Sequence, residues 1–241
     1  MSGPDTSVRQ PKKRSGWVIA GATIISFVAL LYIVELFDQL DGHQLDYNGI
    51  RPLETDGLWG ILFAPLLHAN WAHLMANTGP ALVLGFLVAL AGLSRFLWAT
   101  AIIWIVGGVG TWLIGNIGSP CGETDHIGAS GLIFGWLTFL LVFGFFTRSG
   151  WQIVIGLLVL VLYGGVLWGA VPVLNVCGGV SWQGHLCGGI AGVLAAYLLS
   201  RPERTARERR RADLATFEEK QQAHPRSVLV AHWRKGEGRP S

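Results

Sequence analysis

The sequence predicts an all-α membrane protein, a bundle of six transmembrane helices with both termini cytoplasmic. Three observations carry that expectation. Hydrophobic residues make up 51% of the 241-residue chain and charged residues only 14%, against roughly a quarter charged in an ordinary soluble domain. No Asp or Glu occurs between Gly57 and Gly122, or between Ile127 and Pro202. Such gaps are unfavourable on a water-facing surface and natural in lipid. Finally, there are six long apolar stretches, and a helix of about 20 such residues crosses roughly 30 Å of hydrocarbon.

In chain order the stretches are 17–37, 74–94, 96–115, 130–146, 151–167 and 185–199. The second and third are parted only around Leu93-Ser94-Arg95, the fourth and fifth by Thr147-Arg148-Ser149-Gly150. Both joints read as tight turns between antiparallel helices. The first stretch is too long for a signal peptide and lacks a small-residue cleavage site. Three segments result: a polar, basic cytoplasmic lead-in over 1–16, a six-helix domain over 17–200, and a basic cytoplasmic tail over 201–241. Arg209-Arg210-Arg211 in that tail suits either a solvated face or anionic lipid headgroups.

Orientation follows from the basic residues, which stay preferentially in the cytoplasm. Six crossings put both termini and the two short turns on one side, and every Lys and Arg except Arg51 falls there. The opposite side holds Asp38, Asp41, Asp46, Glu54, Asp56, Glu123 and Asp125. Its first loop contains an apolar run from Gly57 to Leu67, too short to span and suited to the interface, with Trp59 and Trp71 at headgroup level. Cys121 and Cys177 both fall in outer loops, where an oxidising compartment permits a disulfide between them.

Polar groups within spanning helices are unfavourable and each needs an account. The conspicuous ones are His68, His73, Asn77, Ser130 and His185. Singly, each is explained by packing or by hydrogen bonds between helices. Together they share a depth. His73 and Asn77 stand four apart, on one face at the start of the second helix. Ser130 opens the fourth helix and His185 the sixth, and these helices run in the same direction. Small residues sit beside them: Gly131 and Gly135 on the fourth helix, and Gly188, Gly189 and Gly192 on the sixth. Small residues let helix backbones approach closely in lipid, which a short serine side chain needs in order to reach an imidazole.

The residue types narrow the chemistry. A zinc protease needs a motif such as His-Glu-x-x-His, and no Glu accompanies these histidines; His68 and His73, five apart, do not share a helical face. An aspartyl mechanism needs two acids at membrane depth, and a Ser–Lys pair needs a lysine there. By this reading both are missing. Ser130 with His185 remains, as nucleophile and general base, with Asp125 a solvated loop acid rather than a third member. Asn77, His73 and the Ser130 backbone can donate to an oxyanion.

At this point the chain resembles the rhomboid family. His68…His73…Asn77 is similar to its HxxxxHxxxN signature, Gly128-Ala129-Ser130-Gly131 to its GxSG motif, and His185 with Gly188, Gly189 and Gly192 to its sixth-helix motif. The match runs from the first helix to Leu199. The Trp-Arg pair that many bacterial members carry in the first outer loop is absent. The resemblance implies a six-helix bundle of the basic rhomboid type, cleaving transmembrane protein substrates in or near their spanning segments with no cofactor and no metal. It implies Ser130 and His185 as the catalytic pair and Asn77, His73 and Gly128 on the oxyanion and substrate side. His68 and the glycines at 131, 135, 188, 189 and 192 would be structural support. The expected partners are such substrates and the lipid bilayer, not nucleic acid, and the expected setting is a bacterial inner membrane with the site near its outer face. Oligomeric state is not legible.

Two other classes compete. A rhomboid-like protein that binds membrane clients without cutting them usually lacks the serine or the histidine, and this chain has both. A small transporter predicts polar groups at the midplane and inverted repeats, whereas the cluster here is shallow and no repeat is visible.

Overall fold

The computed structural model describes residues 15–120, 124–172, 174 and 179–223. The described residues are helical, without strands; one isolated antiparallel bridge joins Ile50 to His126. They fall into two units, one ending at Leu199 and one beginning at Ser200.

The first unit contains α1 (Gly16–Leu40), the single turn α2 (Gly60–Phe63), α3 (Trp71–Leu90), α4 (Leu93–Ile114), α5 (Ser130–Thr147), α6 (Gly150–Tyr163) and α7 (Trp182–Leu199). A 3-10 helix, Gly164–Ala170, extends α6. Five of these elements are long and apolar enough to cross a membrane: α1, α3, α4, α5, and α6 with its extension. The predicted sixth span, α7, is a helix of 18 residues that falls outside that group. Its Gln183, His185 and run of small residues lower its apolarity, and it lies between α4 and α5 with most of those residues buried. A helix shielded by its neighbours does not need an apolar circumference. The protein is a multi-pass membrane protein.

The exposed surface of the unit agrees with a lipid setting. Ile25 on α1, Trp98 on α4 and Val161 on α6 all point outward, Val161 at 82% exposure. Inside, Trp136 of α5 is fully buried. Its ring meets Phe27 of α1 edge-on at 5.9 Å and Phe96 of α4 at 5.7 Å, and its Nε1 donates to Thr100 Oγ1 at 3.0 Å. One side chain thus joins three helices. The tightest contact is between α5 and α7. A methyl group on Gly188 would lie 2.1 Å from the Gly131 carbonyl oxygen, and one on Gly192 would lie 2.1 Å from that of Gly135.

The ends of the helices differ from the sequence-based boundaries in ways that have local causes. Helix α3 begins at Trp71, three residues early, because the Asn70 side chain accepts from the His73 amide at 2.9 Å and caps it. The turn between α3 and α4 is at Ala91-Gly92, with Gly92 at φ 122°, so Leu93-Ser94-Arg95 is the first turn of α4 and not the joint. Helix α1 runs on to Leu40 and carries two acids with it. Glu35 and Asp38 are each 1% exposed, which corrects the expectation that no pair of buried acids exists near membrane depth.

The first outer loop is folded. Short helical pieces at Leu45–Asn48, Asp56–Leu58, α2 and Ala64–Leu66 fill it, and two tryptophans of α4 hold it down. Trp104 Nε1 donates to the Ile61 carbonyl and Trp112 Nε1 to the Glu54 carbonyl, each at 2.8 Å. Trp59 stays 67% exposed.

The second unit contains α8 (Arg201–Ala223). It covers the first part of the basic tail, and its helicity follows from abundant Ala, Arg, Glu and Gln, all strong helix formers. Cys121 and Cys177 lie outside the described residues. Cys187 is a buried free thiol.

Candidate active site

Ser130 is the first residue of α5, and three contacts fix the segment that delivers it. The backbones of Ile50 and His126 exchange two hydrogen bonds of 3.0 Å. The Gly128 amide donates to the Ala64 carbonyl at 2.8 Å. The Ala129 amide points at His68 Nε2 at 3.4 Å. All three anchors belong to the outer loop or its junction with α3, so that loop is the template for the serine's position. Gly128 adopts φ 118°, a backbone conformation that glycine reaches without strain.

His185 sits in the first turn of α7. Its Nε2 lies 2.8 Å from Ser130 Oγ, and its Nδ1 lies 2.9 Å from the Gly169 carbonyl oxygen. A carbonyl only accepts, so Nδ1 carries the proton and Nε2 is left to accept from the serine hydroxyl. The imidazole also stacks on Phe134, one turn below Ser130 on α5, with centroids 4.0 Å apart and planes 12° from parallel. The ring is therefore held on one edge, one face and one nitrogen. Among the described residues no carboxylate is within its set of hydrogen bonds, and Asp125 is exposed in the loop.

Asn77 and His73, on α3, face the stretch just before the serine. A methyl group on Gly128 would lie 2.9 Å from His73 Nε2 and 3.8 Å from Asn77 Nδ2. Asn77 Nδ2 is buried with no hydrogen-bond partner. A buried donor left without an acceptor is unfavourable by about 1–3 kcal/mol. His68 is 1% exposed, its ring edge-on to that of His73 at 5.1 Å. Burial, and secondarily the neighbouring His73, push the His68 pKa down to about 4, so its ring is neutral at ordinary pH and Nε2 is free to accept.

The glycines divide by direction. Gly131 and Gly135 offer their carbonyls to Gly188 and Gly192, whereas the Cβ position of Gly135 points at Ile103 of α4. Gly189 lies against Thr138, whose hydroxyl donates to its carbonyl at 2.7 Å.

Three participants were not anticipated. Gly169 acts through a backbone carbonyl, which has no sequence signature. Phe134 is four residues from Ser130, so helical spacing would have found it. His126 forms a second polar cluster: its Nδ1 is 2.7 Å from Ser181 Oγ, and its Nε2 is 3.1 Å from Thr124 Oγ1. Thr124 in turn donates to Asn116 at 2.8 Å. Thr111, His126, Ser181 and Gly184, with Ile61 and Trp104, border a cavity that reaches Ser130.

Fold and site together describe a helical membrane protein with a serine and an imidazole in contact at the heads of two tightly packed helices. The Rhomboid domain model matches residues 55–202, and the chain belongs to the rhomboid family. An uncharacterized protein of Mycobacterium tuberculosis is 74% identical over 209 residues, 87% of each chain. One of Mycobacterium leprae is 69% identical over 198 residues, 82% of this chain and 78% of that one. A putative rhomboid protein of Acanthamoeba polyphaga mimivirus is 26% identical over 181 residues, 74% of this chain and 92% of that one.

Proposed function

We infer that the protein is an intramembrane serine endopeptidase that hydrolyses peptide bonds in or near the transmembrane segments of other membrane proteins through a Ser130–His185 dyad. The observation that carries this reading is the 2.8 Å contact between Ser130 Oγ and His185 Nε2, with Nδ1 engaged by the Gly169 carbonyl. In that tautomer Nε2 takes the serine proton as Oγ attacks the scissile carbonyl carbon. The negative charge that develops on the carbonyl oxygen meets donors from Asn77 Nδ2, His73 and the Ser130 backbone amide. His185 then gives its proton to the leaving amine, and an acyl-enzyme remains on Ser130. A water, deprotonated by the same nitrogen, attacks the acyl carbon and restores the serine.

Gly169 provides the orientation that a carboxylate supplies in a triad, and a neutral carbonyl suits a site with little water. The polar side of the cavity beside Ser130, lined by Thr111, His126 and Ser181, offers hydrolytic water a place below the surface. The distribution of Lys and Arg supports an orientation with both termini in the cytoplasm and the site near the outer face of a bacterial plasma membrane.

The test is cleavage of a model transmembrane substrate by purified protein in detergent. Ser130→Ala and His185→Ala should each abolish cutting while melting like the parent. Equal cutting by all three proteins would assign the activity elsewhere. A folded protein that cuts no substrate in any lipid would favour a client-binding role.

A further inference from the structure

The far end of α1 holds a polar cluster that peptide hydrolysis does not use. Glu35 and Asp38 stand three apart on one face of the helix, and each is 1% exposed. After Asp41 the chain turns through two consecutive left-handed residues, Gly42 (φ 71°) and His43 (φ 62°), which folds it back over the helix end. His43 Nδ1 thereby reaches Asp38 Oδ2 at 3.3 Å and lies 3.7 Å from Asp46 Oδ2. The Leu45 amide donates to Asp38 Oδ1 at 2.7 Å and fixes that carboxylate. One donor atom from each of Asp38, His43 and Asp46 lies within 4.8 Å of the others.

The charges in this cluster do not balance. Glu35 has both carboxylate oxygens buried without a hydrogen-bond partner, and so has Asp46 at Oδ1. Glu35 stands one turn before Asp38 on α1, and its carboxylate is within electrostatic range of Asp38, Asp46 and His43. Among the described residues no Lys or Arg forms an ion pair with any of the three acids; Arg51 is engaged by Glu54 at 2.9 Å and by the Tyr47 carbonyl. Buried carboxylates without a counter-charge are strongly unfavourable. A cation among Asp38, His43 and Asp46 relieves that repulsion.

We propose that Asp38, His43 and Asp46, with Glu35 behind them, form a binding site for a divalent transition-metal ion, Zn²⁺ fitting best. The donor set is one imidazole nitrogen with carboxylate oxygens. Calcium and magnesium favour oxygen-only shells of six or more ligands. Zinc takes nitrogen and oxygen at about 2.0–2.2 Å in a tetrahedron, whose edges are then about 3.3–3.6 Å. The N···O separation of 3.3 Å matches such an edge and the one of 3.7 Å lies just beyond it. His43 and Asp46 remain partly exposed, so an ion can enter from outside. The site is structural and regulatory rather than catalytic. It ties the end of α1 to the start of the outer loop, a few residues before Ile50, whose pairing with His126 templates Ser130.

The experiment is zinc titration of the purified, EDTA-stripped protein in detergent against a chromophoric chelator, with calcium and magnesium as separate arms and melting temperature as a parallel readout. One zinc per chain should bind and raise the melting temperature. His43→Ala and Asp46→Asn, both at the exposed side of the cluster, should weaken binding at least tenfold while leaving the zinc-free melting temperature near that of the parent. Glu35→Gln should also weaken it. Absence of zinc binding, or binding unchanged in these variants (an adventitious site only), would overturn the proposal, as would preference for calcium or magnesium. Ser130→Ala should bind zinc like the parent, so failure of the protease reading and failure of this one are separable.

Discussion

Gly188 on α7 meets Gly131 on α5 backbone to backbone, closely enough that a methyl group at Gly188 would stand 2.1 Å from the Gly131 carbonyl oxygen. The contact lies directly below the Ser130–His185 pair, so helix separation and the nucleophile–base distance are one quantity. Gly188→Ala is expected to force the helices apart, lowering stability by about 1–3 kcal/mol as overpacking does and reducing cleavage at least tenfold. Gly189→Ala, whose methyl would meet only Thr138 Cγ2 at 3.4 Å, should be mild. Thermal unfolding in detergent and the cleavage assay check the contrast; two variants that behave alike would show that close approach is not what sets the dyad.

Asn77 is expected to matter for turnover and not for folding. Its Nδ2 is buried and unpartnered, so Asn77→Ala removes a donor that no protein group uses. Loss of one oxyanion donor reduces turnover about 10²–10³-fold. Steady-state kinetics on the model substrate should show that fall in kcat with KM little changed and the melting temperature intact. A change confined to KM would reassign Asn77 to substrate binding.

Much of this architecture was legible because lipid constrains sequence so strongly. The apolar stretches, the acid-free intervals and the glycine rows on α5 and α7 follow from the absence of water. The same reasoning brought Ser130, His185, His73 and Asn77 to one depth, and they are neighbours in the fold. What escaped was fixed by long-range backbone geometry. The Gly169 carbonyl that engages His185 has no side chain to read. Glu35 lies within the stretch 17–37 and passed unremarked because hydropathy averages over it. The cap from Asn70 moved the start of α3, and α7 owes its modest apolarity to a buried position that only the packing of α4 and α5 reveals.

Acid should destabilise the fold through the outer loop. Burial pushes both His68 and His126 down to about 4, from an ordinary value near 6.5. The unfolded chain therefore binds protons that the folded one refuses. Stability is full above about pH 6.5 and falls as pH drops toward 4, by up to about 3 kcal/mol for each ring. Melting temperature in detergent should decline over that window and flatten in His68→Gln and His126→Gln. A parent protein equally stable at pH 7 and pH 4.5 would contradict the buried, neutral state of both rings.

Gly128 offers a way to separate backbone strain from contact with the site. At φ 118° an alanine is strained, and its methyl would also stand 2.8 Å from His73 Cε1 and 2.9 Å from Nε2. Gly179, at φ 89°, carries comparable strain with no described residue within 4 Å of the added methyl. Strain of this kind is worth about 1–3 kcal/mol, so both alanine variants should melt somewhat lower than the parent. Only Gly128→Ala should also displace His73 and the segment that delivers Ser130, so its cleavage should fall at least tenfold while Gly179→Ala stays within a few-fold of the parent. Equal activity in the two variants, with similar melting, would mean that the packing of His73 against Gly128 does not govern the position of the serine.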